Sequence, residues 1–102
     1  MIQVDLRAHA LRLVRTKERE NAFQFYGAVT FPDNARNGVE LCLRRCEAFG
    51  FLGVPSAYTI DVLDVAGDII QDFEVSREGA RWLRRTLRLA VEEGVSDEAV
   101  TD

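Results

Sequence analysis

The chain is 102 residues long and weighs 11.5 kDa, with 47% hydrophobic and 29% charged residues. That length fits one globular domain, the apolar content is too high for a disordered tail, and no apolar run approaches the roughly 18–20 residues of a membrane-spanning helix. Thirteen basic residues against seventeen acidic ones give a net charge of -4 and a pI of about 5.0, which disfavours indiscriminate binding to nucleic acid or anionic lipid.

From Ile2 to Val14 the apolar residues Ile2, Val4, Leu6, Ala8, Ala10 and Val14 alternate with Gln3, Asp5, Arg7 and His9, the period of a half-buried strand. Leu11 and Leu13 break the parity, which predicts a bulge or bend near Ala8–Ala10; a helix is the competing reading of this stretch. A charged loop over Thr16–Asn21 leads into a second strand, Ala22–Phe31, with Phe23, Phe25, Val29 and Phe31 on one face, and the two strands form a β-hairpin.

Pro32, Asp33 and Asn34 end that strand and offer capping side chains to a helix. In it Val39, Cys42, Leu43, Cys46 and Phe49 follow the spacing of one helical face, and Gly50 closes it. A Gly and Pro linker, Phe51–Pro55, precedes a third strand over Ala57–Val65. Ala66, Gly67 and Asp68 have the chemistry of a tight turn, and Ile69–Val75 returns as a fourth strand with Ile69, Phe73 and Val75 on one parity. Ser76 is placed to cap a second helix from Arg77 to about Glu93, Gly94 to end it, and Val95–Asp102 reads as an acidic tail.

Strand, strand, helix therefore occurs twice, and the helices overlay at an offset of 44 residues: Val39 on Leu83, Leu43 on Leu87, Arg44 on Arg88, Cys46 on Ala90, Gly50 on Gly94. Both halves, 1–50 and 51–94, solve one burial problem in the same way. The expected fold is a single α+β domain over 1–94, a two-layer sandwich in ββαββα order with a four-stranded antiparallel sheet and two helices on one face.

Catalytic equipment is sparse. Cys42 and Cys46 lie four apart on one helix, a poor arrangement for a disulfide and only half of a metal site, so they read as buried core thiols. His9, the one histidine, falls on the polar parity of the first strand, and the glycines are scattered over turns and helix ends rather than gathered in a phosphate-binding loop. The expectation is a protein without enzymatic activity, cofactor or metal. The first residues show no charged leader before an apolar stretch, and with the paired cysteines this points to the cytoplasm.

Two charged surfaces stand out. On the second helix Arg77, Arg81, Arg84, Arg85 and Arg88 fall within an arc of roughly 100°. Such a stripe suits phosphates or carboxylates, or is a solvated helix face edged by Glu78 and Glu92. On the second hairpin, with Ile60, Val62, Phe73 and Val75 inside, Asp61, Asp72 and Glu74 share the outer face with Leu63, Val65 and Ile70. Three carboxylates among three aliphatics suit a protein partner better than plain solvated sheet. The two surfaces also complement each other in a second copy, and the sheet edges offer strand addition, so a homodimer is a further expectation.

The favoured reading is a small protein-interaction module acting through Asp61, Leu63, Val65, Ile70, Asp72 and Glu74. It would serve as an adaptor or an inhibitor of a larger bacterial complex, of the kind phages and mobile elements encode, with anti-CRISPRs an analogy in size and charge alone. The alternative is a nucleic-acid-binding module that uses the arginine stripe, with Lys17 and Arg19 as outlying contacts.

Overall fold

The computed structural model describes residues 2–18, 25–31, 34–49 and 57–90. Over these the chain forms β1 (Ala10–Arg15), a 3-10 turn (Thr16–Glu18), β2 (Phe25–Thr30), α1 (Ala35–Glu47), β3 (Tyr58–Leu63), β4 (Ile69–Val75) and α2 (Arg77–Ala90). The strands make one antiparallel sheet in the order β2-β1-β3-β4, with both helices packed on one of its faces. This is the ββαββα sandwich expected from the pattern. The linker Phe51–Pro55, the glycines Gly50 and Gly94 and the tail Val95–Asp102 lie outside the described residues, as do Phe23 and Arg19.

The core lies between sheet and helices. Leu11 pairs with Val62 and Leu13 with Ile60 across the two central strands, and with Val29 and Val75 they meet Val39, Leu43 and Cys46 of α1 and Ala80 and Leu83 of α2. Leu11, Leu13, Leu43, Ile60 and Leu83 are fully buried, each contributing about 2 kcal/mol through removal of its side chain from water.

The first strand departs from expectation, because the chain between Ile2 and His9 is not part of it. The Asp5 carboxylate accepts the Arg7 N–H at 2.8 Å and the Asp5 carbonyl accepts the Ala8 N–H at 3.0 Å, closing a turn at Leu6–Arg7. That turn resets the parity: Leu11 and Leu13 face the helices, Ala10 and Val14 face away, and Leu6 is 80% exposed. The segment before the turn is held by Gln71 of β4, whose Oε1 accepts the Asp5 N–H and whose Nε2 donates to the Gln3 carbonyl, both at 2.9 Å. The amide thus pairs with this segment much as a neighbouring backbone would.

Both hairpins carry a bulge at the same place. In the first, Leu13 faces Gly27 and Val14 faces Phe25, so Tyr26 is the extra residue. In the second, Val62 faces Gln71 and Leu63 faces Ile69, so Ile70 is extra. Tyr26 and Ile70 stand 44 residues apart, the offset that overlays the helices. The halves meet where β1 and β3 pair antiparallel, with Arg12 opposite Asp61. The second bulge also overturns the expected parity of β4: Ile70 turns to the core and Ile69 is 42% exposed.

The helices start differently. Asn34 occupies the N-cap of α1 with a left-handed backbone (φ 52°, ψ 44°), and its carbonyl rather than its side chain accepts, from the Asn37 and Gly38 N–H groups. Ser76 caps α2 as its position predicts: its Oγ accepts the Gly79 N–H at 3.1 Å and donates to the Phe49 carbonyl at 3.1 Å, fastening the start of α2 to the end of α1. Phe49 itself follows the end of α1 and is 40% exposed, outside the core in which the helical spacing would place it. Gly38 is required by contact, since a Cβ there would stand 2.3 Å from the Phe31 ring.

Candidate functional site

Charge is segregated in this fold. Residues 57–75 hold five carboxylates, Asp61, Asp64, Asp68, Asp72 and Glu74, and no basic side chain. The two helices hold eight arginines against three glutamates, Glu40, Glu47 and Glu78. The negative net charge comes from outside this framework: residues 91–102 contain five of the seventeen carboxylates and no cation.

The structure divides the residues expected on the outer face of the β3–β4 hairpin. Asp61 and Asp72 do sit opposite one another on the face away from the helices, but β3 is buried along its whole length. Asp61 is 0% exposed, and its Oδ2 accepts from Arg12 Nη2 at 3.3 Å, with the Arg12 side chain 15% exposed. Beside this pair the hydroxyls of Thr16 and Thr59 are hydrogen-bonded at 2.7 Å. Leu63 is buried at 9%, and Ile70 packs against the core. Exposed are Val65, at 80%, and Asp72 and Glu74. Asp61 and Leu63 thus shape this hairpin from inside, and Ile70 is lost to the surface because of the bulge.

Sequence reasoning missed three exposed residues at the end of the sheet that carries Val65: Leu6, Asp68 and Ile69. Asp64 Oδ1 accepts the N–H groups of Ala66 and Asp68 at 3.0 and 2.9 Å, and Gly67 takes φ 88°, so the Asp-Val-Ala-Gly-Asp run closes a tight turn with Val65 at its tip. The Leu6–Arg7 turn lies at the same end of the sheet: His9 N–H donates to the Leu63 carbonyl, and Asp64 acts electrostatically on Arg7. Asp5 is held below the usual carboxylate range by its hydrogen bonds to the Arg7 side chain and backbone. Leu6, Val65 and Ile69 thus gather exposed aliphatic surface at the acidic end of the molecule. The signal was present in the turn chemistry of Asp64 and Asp68; for Leu6 there was none, because its parity placed it inside.

The arginine stripe is also divided. Arg77, Arg81 and Arg85 are exposed, Arg84 is buried at 8%, and the Arg88 side chain lies outside the described residues. A different basic surface takes its place across the two helices. Arg45 of α1 stands over the Trp82 ring of α2, its Cζ 5.8 Å from the ring centroid, while Arg44 is bonded to Glu40 one turn earlier.

The cysteines sit beneath this surface. Burial pushes the Cys42 thiol up to about 11, and burial together with the neighbouring Cys42 pushes Cys46 up to about 12, so both are protonated near neutral pH. Cys46 Sγ lies 3.9 Å from the Gly79 carbonyl at the helix contact. Among the described residues no group of three or more His, Cys, Asp or Glu is arranged to hold a metal ion, and no helix is long and apolar enough to cross a membrane. No protein-family pattern, curated protein or solved structure matches the chain.

Proposed function

We propose that this chain is a non-enzymatic interaction module, an adaptor or an inhibitor of a larger bacterial complex. It engages a basic protein surface through the exposed end of the β3–β4 hairpin. The observation that carries the reading is the pairing of unlike features there: Val65, 80% exposed, and Ile69 beside Asp68, with Asp72 and Glu74 further along β4, on a hairpin without a single cation, and Leu6, also 80% exposed, on the turn at the same end of the sheet. Apolar side chains left in water beside an excess of carboxylates, with Arg7 taken up by Asp5, suit a partner that covers the aliphatics and neutralises the acidic hairpin. The protonated, buried thiols are in keeping with a role that involves no cysteine nucleophile.

A photo-activated cross-linking residue at Val65, compared with one at the exposed Thr30 of β2, tests this reading in bacterial cells. The expected result is a discrete protein adduct from position 65 alone. It should survive nuclease treatment and disappear when Asp72 and Glu74 are both replaced by Lys. Equal adducts from both positions, or a position-65 adduct indifferent to those charge reversals, overturn the proposal. An adduct of twice the chain's mass identifies the partner as a second copy and replaces the heterologous complex with a homodimer.

A further inference from the structure

We infer that the face shared by α1 and α2 is a second, independent contact surface, and that its ligand is single-stranded nucleic acid. Its centre is Trp82, half-buried between the helices with Arg45 over its ring. At about 100° per residue Arg85 lies about 60° round α2 from Trp82 on the solvent side, and Arg81 precedes Trp82 directly. Arg44, 57% exposed, and Leu41, 68% exposed, extend the face along α1. Glu78 and Glu40 are its acidic members, and Glu40 is engaged with Arg44.

Charge complementarity sets the class of ligand. The helix layer is strongly basic, whereas the acidity of the whole chain lies in residues 57–75 and 91–102, so overall net charge is a poor guide to this face. Arginines offer paired N–H donors to phosphate oxygens, and Trp82, with the Arg45 Cζ 5.8 Å from its ring centroid, sets an aromatic ring beside those donors on which an unpaired base can stack. Shape argues for a single strand over a duplex. Two packed helices, each about 10 Å across, present a front too broad for a major groove about 12 Å wide, and a flexible strand can lie along the line between them. An acidic peptide would satisfy the arginines without using the Trp82 ring.

Titration of the full-length chain with a short labelled oligothymidylate, followed by anisotropy and by fluorescence of the chain's one tryptophan, tests this. Saturable binding with quenching of Trp82 is expected, together with weaker binding of a duplex of the same length. The affinity should fall linearly with salt on a logarithmic scale, and replacing Arg45 and Arg85 with Ala should flatten that slope by about 1.4, at about 0.7 per phosphate contact. Both side chains are exposed, so these variants should keep the parent's circular dichroism and urea midpoint. Absence of quenching, an unchanged slope in the folded double variant, equal affinity for duplex, or equal binding of a poly-glutamate peptide overturns the inference.

Discussion

Replacing Arg12 with Leu is expected to be among the most damaging single changes outside the apolar core. Asp61 is 0% exposed and Arg12 lies 3.3 Å away with its side chain 15% exposed, so the two partners are not equivalent. Removing Arg12 leaves a carboxylate with no access to water and without its cationic partner, at a cost of about 3 kcal/mol; removing Asp61 leaves a guanidinium that keeps part of its hydration, so Asp61→Leu should cost less, about 2 kcal/mol. The double variant carries no buried charge at this point of the sheet and should lie within about 1 kcal/mol of the parent, because a hydrophobic replacement of a buried pair is often neutral. Urea unfolding followed by Trp82 fluorescence gives all four corners of the cycle, and for a domain of this size about 3 kcal/mol lowers Tm by at least about 12 °C. A loss below about 0.5 kcal/mol for Arg12→Leu, or additive losses in the double variant, would refute the assignment of Asp61 to the interior.

Three further outcomes follow from the packing. Ser76→Ala removes the acceptor for the Gly79 N–H and the donor to the Phe49 carbonyl, and should cost about 1 kcal/mol in a urea titration. Gly38→Ala should destabilise the fold by about 1 kcal/mol or more despite the better helix propensity of Ala, since the new methyl meets the Phe31 ring; calorimetry showing a higher Tm would contradict that contact. Cys42 and Cys46 should resist a thiol reagent at pH 8 and react once unfolded. Because their folded values, about 11 and about 12, exceed the ordinary 9.0, their contribution to stability is complete below pH 9 and is lost as pH rises towards 12. A Cys42→Ala, Cys46→Ala double variant should show a shallower alkaline loss in urea midpoints.

The repeated strand, strand, helix order was legible because each element carried its own local signal: alternating Ile60 and Val62, the helical spacing of Val39, Cys42, Leu43 and Cys46, and Ser76 ahead of α2. What failed was parity, at two places where one extra or turned residue resets it. The Asp5 turn swapped the face of Leu11 and Leu13, and the bulge at Ile70 exchanged Ile69 for its neighbour. The candidate surfaces were half legible for the same reason. Asp72, Glu74, Arg81 and Arg85 stand where periodicity puts them, but periodicity on one strand or helix does not report what its neighbours cover. Asp61 lies opposite Arg12, and Arg84 is turned out of the stripe by the packing of α2. The Arg45 and Trp82 contact joins two elements 37 positions apart in sequence, a relation no local pattern encodes.

The Arg12 and Asp61 pair sits near the middle of the β1–β3 pairing, the seam at which the two strand, strand, helix halves meet. Were a single ββα half to pair with a copy of itself in this arrangement, the position would set arginine against arginine or aspartate against aspartate in a nearly dry setting. Opposite charges at that point make the seam complementary only between unlike halves. A chain cut in the stretch between α1 and β3 should therefore yield fragments biased towards each other over copies of themselves, the property sought in a split-protein reporter, and exchanging Arg12 and Asp61 for like charges should remove that bias.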